Sequence, residues 1–160
     1  MSEPLASRIC ESPLGGLILV GTRAGLREVL WEEDDIPAGA VRRSCAVLDE
    51  AAHQLGGYFA GELRRFDLAL DLVGTPFQLQ AWRALAVVPY GTTVSYGEQA
   101  WRLGRPAAAR AVGAANGHNP VPIVLPCHRI VGADRSLVGF GGGLDRKAWL
   151  LEHEARIAVG

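Results

Sequence analysis

A chain of 160 residues with about half its residues apolar can bury the core of one domain or of two small ones, and no apolar run is long enough to cross a membrane. The net charge of −1 hides an asymmetry: residues 1–72 carry seven arginines against twelve acidic residues, a net of −5, whereas residues 73–160 carry nine basic against five acidic, a net of +4. A basic half suits a polyanion-binding surface, and the start Met1-Ser2-Glu3-Pro4 lacks the basic and apolar stretches of a leader, so a cytoplasmic protein is expected.

In chain order, Leu5 to Glu11 reads as a strand, turned by Pro13, Gly15 and Gly16 into Leu17 to Val20. Arg23-Ala24-Gly25 turns again into Leu26 to Trp31, which completes a three-stranded antiparallel meander. After an acidic loop, Val41, Cys45, Leu48, Ala52, Leu55 and Phe59 recur at helical spacing. Cys45 lies on that stripe and is read as packing, and His53 falls just off it and is read as an exposed or capping histidine. Phe66, Leu68, Leu70 and Leu72 alternate with Asp67, Ala69 and Asp71 as a half-buried strand. Cys10 has no partner residue nearby in sequence, and no chemistry stands out in this half. The expected division is a small amino-terminal α/β domain over residues 1–72 and a mostly helical domain over residues 73–160.

Thr75-Pro76-Phe77-Gln78 is a capping box with proline at the first helical position, and Pro89-Tyr90-Gly91 ends the helix it opens. A second box, Ser95 to Glu98, starts a short helix that stops at Gly104. A third helix runs from Pro106 to Asn116 and is almost all alanine and glycine around Arg110. Two short helices joined by a tight turn are a helix-turn-helix signature. The small residues suit close packing on a neighbouring helix or close approach to a nucleic-acid groove, and periodicity does not choose.

Asn119 to Ile130 is the stretch where chemistry concentrates. Pro120, Pro122 and Pro126 fix their own φ and push the residues before them out of the helical region, so a stiff, extended segment is expected to deliver Cys127, His128 and Arg129. Cys127 is either a buried core thiol or a nucleophile activated by a base. In an extended segment Cys127 and His128 point to opposite faces, so proton transfer between them needs a local turn or a bridging water. Ile130-Val131 and Leu137-Val138 flank Gly132 to Ser136 as a hairpin or wing, followed by the glycine triplet Gly141-Gly142-Gly143. The last helix, from Leu144 to about Ala158, carries Glu152 and Glu154, either of which could orient His128; the wheel places Glu154 between Leu150 and Leu151, and periodicity does not decide between the two glutamates.

The ordered set Pro89-Tyr90-Gly91, Ser95-Tyr96-Gly97, Arg110-Ala111-Val112-Gly113, Asn119-Pro120-Val121-Pro122, Pro126-Cys127-His128-Arg129-Ile130, Gly142-Gly143-Leu144 and Trp149 to Glu154 resembles the methylated-DNA–protein-cysteine methyltransferases, also called O6-alkylguanine-DNA alkyltransferases. The resemblance runs from Thr75 to Glu154, and more loosely through Ser12-Pro13-Leu14-Gly15 and Gly57-Tyr58-Phe59-Ala60-Gly61. It implies a small α/β domain followed by a winged helix-turn-helix domain that carries the active site. It also implies a single-turnover reaction: O6-methylguanine, with O4-methylthymine as a second candidate, is flipped from duplex DNA and its alkyl group moves irreversibly to Cys127.

Carried across by residue, the resemblance makes Cys127 the acceptor, His128 its base through a water, Glu154 the group that polarises His128, Tyr96 a proton donor to the guanine and Asn119 a brace for the turn. Arg110 would fill the gap left by the flipped base through the minor groove, with Ala108, Ala109 and Gly113 as the small approach surface and Thr93 and Ser95 as further DNA contacts. Phe140, Gly141, Gly142, Ile130 and Pro122 would line the pocket. Phe140 stands where relatives often have tyrosine, and Gly141 offers only its backbone N–H, so the range of accepted alkyl groups is open.

No cofactor is implied, and Cys10, Cys45 and His53 do not reproduce the zinc set of some members, so no metal is expected. The partner that the resemblance implies is double-stranded DNA containing alkylated guanine, with no membrane, and a monomer is expected, its cooperativity on DNA left open. A non-catalytic alkylated-base-binding relative would lack Cys127. A cysteine hydrolase or redox enzyme would need an oxyanion hole or a resolving cysteine. A transcription factor would need long polar side chains on its recognition helix, which Ala107 to Ala115 does not supply.

Overall fold

The computed structural model describes residues 5–159, so the leader expectation at Met1–Pro4 lies outside the described residues. The chain divides into two compact units, Met1–Val73 and Gly74–Gly160. No helix among the described residues is long and apolar enough to cross a membrane.

The first unit is a sheet covered by one helix. Strands β1 (Ala6–Cys10), β2 (Leu17–Thr22) and β3 (Gly25–Trp31) form the antiparallel meander, and β2 is buried along its whole length. The sheet has four strands rather than three, in the order β3-β2-β1-β4. The added β4 is Val41–Arg42, parallel to β1 and held by Val41 N donating to Leu5 O at 2.7 Å and Arg43 N donating to Ser7 O at 3.2 Å. Two residues are too few to carry a period of two, and Val41 instead matched a helical stripe.

Helix α1 therefore starts later than the stripe implied, at Ala46–Phe59, with Cys45 at its N-cap. Its buried face is Leu48, Ala51, Gln54, Leu55 and Tyr58, so Leu48 and Leu55 are inward as expected while Ala51 and Tyr58 replace Ala52 and Phe59; the Gln54 amide is satisfied inside, donating to Asp67 O and accepting from Asp67 N, both at 2.9 Å. His53 is exposed.

The expected strand over residues 66–72 reduces to a single parallel bridge, Leu26 to Leu70. Leu26 N donates to Ala69 O and Asp71 N donates to Leu26 O, at 2.9 and 2.8 Å, and there the pairing ends. The approach is so close that a Cβ on Gly25 would lie 2.6 Å from Ala69 O. Asp71 then locks the segment by accepting from Thr22 Oγ1 at 2.7 Å and Arg27 at 2.8 Å.

The second unit is mostly helical. Helix α2 (Pro76–Leu85) opens on a complete capping box in which the Thr75 hydroxyl and the Gln78 side chain satisfy each other's backbone N–H. Strand β5 (Val94–Ser95) leads into α3 (Tyr96–Arg102), whose N-cap Ser95 accepts from Glu98 N at 3.0 Å. Helix α4 (Ala109–Gly117) begins three residues after Pro106, because Arg105 to Ala108 closes a turn first, with Ala108 N donating to Arg105 O. Helix α4 packs on both α2 and α3. Trp82 Nε1 donates to Ala115 O at 2.7 Å, and the buried amides of Gln99 and Asn116 pair at 2.8 Å.

Strand β6 (Ile130–Val131) pairs in parallel with β5 rather than with residues 137–138, so the wing is a turn without a second strand. Helix α5 (Leu144–Val159) closes the unit and buries Lys147, Leu150, His153 and Glu154.

Candidate active site

The proline run is not extended. Leu125 N donates to Val121 O at 3.0 Å, Pro122 bridges to Leu125, and Ile123 takes a left-handed φ of 74°, an uncommon state for a β-branched residue. The expectation failed because three prolines limit only their own φ and the residue before each, and Ile123 and Val124 are free to turn. Asn119 spans the turn: its Oδ1 accepts from Val121 N at 3.0 Å and its Nδ2 donates to Leu125 O at 2.8 Å. Cys127–Arg129 then form one turn of 3-10 helix, with Arg129 N donating to Pro126 O. Cys127 and His128 thus sit on a helical turn rather than at the end of a strand, and adjacent residues on such a turn still do not face each other, which leaves the bridging water as the route between them.

His128 is completely buried, and its Nε2 lies 2.6 Å from Glu154 Oε2. Arg129 grips the same carboxylate with two nitrogens, Nε to Oε1 at 2.8 Å and NH2 to Oε2 at 3.0 Å, and spends NH1 on Val88 O. Gly91 N also donates to Oε1, at 3.2 Å. Burial alone would push the Glu154 carboxyl up, but the hydrogen bonds of His128 and Arg129 and the Arg129 charge outweigh it and hold it well below the usual carboxylate range. Glu154, not Glu152, faces the imidazole; Glu152 is exposed.

A carboxylate at Nε2 requires Nε2 to carry the proton, which leaves Nδ1 as the acceptor. Nδ1 is buried and has no hydrogen-bond partner among the described residues. Burial pushes the His128 pKa down against the opposing pull of Glu154, so the ring is neutral at rest. Cys127 is buried and burial pushes its thiol up to about 11, with the Asn119 hydrogen bond and the Lys147 charge pulling the other way. The resting pair is thus a protonated thiol beside a neutral imidazole with a free lone pair.

Lys147, the one lysine of the chain, is the residue that the sequence reading passed over. It is completely buried, its Nζ donates to Ile130 O at 2.6 Å, Val138 O at 2.8 Å and Gly139 O at 3.3 Å, and it lies 5.8 Å from the centre of the Tyr96 ring. The signal was there: Lys147, Leu150 and Glu154 recur at i, i+3 and i+7, so a cation sits on the same inward stripe as the glutamate.

The half-buried Tyr96 donates its hydroxyl to Val138 O at 2.8 Å. Burial raises its pKa, and the neighbouring Cys127 charge adds to that. Gly113 of α4 faces the Tyr96 ring, where a Cβ would lie 3.7 Å away. Arg110, by contrast, is exposed, and Ala108 and Ala109 are half-buried at the start of α4. Thr93 and Ser95 are half-buried at the entry to α3, with the Ser95 hydroxyl committed to its cap. Ile130 and Pro122 are buried beside Cys127 in sequence, Phe140 is half-buried, Gly141 lies exposed within reach of Gly117 O, and Gly142 O accepts from Arg146. No group of three His, Cys, Asp or Glu side chains among the described residues converges as metal ligands.

Two family models match the chain: "6-O-methylguanine DNA methyltransferase, ribonuclease-like domain" over residues 6–72 and "6-O-methylguanine DNA methyltransferase, DNA binding domain" over residues 76–156. A methylated-DNA–protein-cysteine methyltransferase of Mycolicibacterium paratuberculosis is 51% identical over 93% of this chain and 92% of its own length. One from Methanosarcina acetivorans is 45% identical over 91% and 96%. Among solved structures, Mycobacterium tuberculosis OGT in complex with DNA superposes with a TM-score of 0.89 at 47% identity, covering 95% of this chain and 94% of that one.

Proposed function

The chain belongs to the 6-O-methylguanine DNA methyltransferase family, and from that premise we propose how its residues carry out the repair. The protein is a DNA-repair methyltransferase that binds DNA containing alkylated guanine and transfers the alkyl group to its own cysteine. The observation that carries the residue assignment is His128, clamped by Glu154 at 2.6 Å through Nε2 while its buried Nδ1 stays unpartnered one residue from the buried Cys127.

Cys127 Sγ gives its proton through a bridging water to His128 Nδ1, and Glu154 stabilises the imidazolium that forms. The thiolate attacks the alkyl carbon, the bond from that carbon to the guanine oxygen breaks, and its electron pair returns to the base. Tyr96 releases Val138 O and delivers its proton to the guanine ring, so the leaving group is neutral. Asn119 braces the turn, and Lys147 favours the thiolate through its charge and positions Val138 and Gly139. A thioether does not revert, so each molecule acts once.

The flipped base is read against Phe140, Gly141, Gly142, Ile130 and Pro122. The duplex lies along α4, where Ala108, Ala109 and Gly113 allow close approach through the minor groove and the exposed Arg110 enters the stack, with Thr93 and Ser95 at the entry to α3. Residues 73–160 form the DNA-binding and transfer domain and residues 1–72 a separate domain; the +4 charge of the former supports this division. The protein works as a cytoplasmic monomer without cofactor or metal, and O4-methylthymine is a second substrate class.

The test is intact-mass analysis after incubation with duplex carrying O6-methylguanine. One added methyl group mapped to Cys127 is expected, and an unchanged mass sinks the reading.

A further inference from the structure

The wing carries a residue that its turn does not want. Arg135 N donates to Gly132 O at 2.8 Å and Gly132 N donates to Ser136 O at 2.9 Å, the pattern of a β-turn followed by a one-residue bulge. The bulge residue is Arg135, at a φ of 66°. Turn chemistry assigns this left-handed position to glycine, or to asparagine, because a larger side chain crowds its own backbone there.

Packing does not explain the arginine. The other non-glycine residue with positive φ among the described residues is Ile123, and its side chain is fully buried. The Arg135 side chain is exposed and makes no hydrogen bond or ion pair with any described residue. The adjacent Asp134 does not neutralise it, since Asp134 Oδ1 is turned back to accept from Ser136 N at 3.0 Å. Strained positions persist where function holds them, and here what is held out is a bare guanidinium.

Both stalks of the wing are anchored to elements of the site. Val131 pairs with Ser95, so Gly132 leaves the sheet beside the start of α3. On the return, Val138 O and Gly139 O accept from Lys147, and Val138 O also accepts from Tyr96. The tip therefore presents its cation at a constrained reach from the helix-turn-helix rather than on a free tether.

We propose that Arg135 is a backbone-contact residue whose guanidinium takes a phosphodiester of the duplex under repair, an inference that rests on the DNA-repair reading above. A charge-to-phosphate contact carries no sequence information, so it strengthens binding to every duplex alike and makes that binding more sensitive to salt.

The experiment compares wild type with Arg135→Gly and Arg135→Lys in three readouts: thermal unfolding, duplex affinity across a salt series by fluorescence anisotropy, and wild-type methyl transfer from O6-methylguanine duplex. Arg135→Gly relieves the left-handed strain, so its melting temperature should equal or exceed wild type. Its Kd should nevertheless rise on the order of five- to tenfold at low salt, and the slope of log K against log salt should flatten by about one. Arg135→Lys keeps the charge and should stay within about threefold of wild type. A merely structural role would move stability and affinity together. Wild-type affinity and slope in Arg135→Gly overturn the inference, as does an equal loss in Arg135→Lys and Arg135→Gly. If wild type neither binds nor demethylates the duplex, the repair reading falls, and this inference with it.

Discussion

Glu154 accepts hydrogen bonds from His128, from two nitrogens of Arg129 and from the backbone of Gly91, all inside the fold. Glu154→Gln keeps the shape but offers one acceptor oxygen and removes the charge, so it leaves Arg129 buried without a full partner. The expected outcomes are a loss on the order of 3 kcal/mol in unfolding free energy, read by urea titration, and a drop in single-turnover transfer on the order of a hundredfold or more as the His128 tautomer is no longer fixed. Lys147 acts at longer range. Lys147→Met should raise the Cys127 pKa further, and ultraviolet titration of the thiolate should show the shift to higher pH. A thiolate titration unchanged from wild type would remove Lys147 from that role.

At the scale of elements, two short devices set the second unit. The Thr75 cap starts α2, and Thr75→Ala should cost about 1 kcal/mol by thermal unfolding with little change in the rate of transfer. Asn119 closes the turn that replaces the expected extended run, and Asn119→Ala removes both of its backbone bonds. That variant should slow transfer more than it weakens duplex binding, because it releases the thiol from its place and leaves α4 intact; a binding loss as large as the rate loss would contradict it.

The same elements mark how far the sequence could be read. Both caps, the meander and the helix-turn-helix were legible because they rest on local chemistry within a few residues, such as Thr75 with Gln78. Strand β4 was not, because two residues make no pattern, and neither was the α1 face, because Gln54 became an inward residue only through the distant Asp67. The convergence of His128 with Glu154 was suggested by family motifs rather than by spacing, which left Glu152 equally open. Ile123 had no local signal at all: nothing about a β-branched residue announces a left-handed turn.

At the scale of the molecule, the shifted groups define a pH window. The His128 pKa is lowered from 6.5, so the unfolded chain takes a proton that the folded chain refuses, and stability falls as pH drops below about 6.5. Glu154 is lowered from 4.5, so its contribution is full above that value and is withdrawn as pH falls further toward the folded value. Cys127 runs the other way: its thiol is raised from 9.0 to about 11, so stability is full below 9.0 and is lost as pH rises from there through about 11. Urea titrations across pH should therefore give a stability maximum between roughly pH 6.5 and 9. Cys127→Ser should flatten only the alkaline side, and a wild-type alkaline limb in that variant would refute the assignment.

The raised thiol also bears on shelf life. A protein that can be spent once has no means of recovering from a wasted reaction with a stray electrophile or oxidant, and a thiolate is the form such agents attack. Cys127 is kept protonated and buried, while Cys10 and Cys45 remain half-buried. On the proposed mechanism, the nucleophile is stored as the less reactive of its two forms and becomes competent only through a histidine whose clamp is already in place. A thiol stored in that form gives stray electrophiles less to attack, which favours keeping its single use for a lesion.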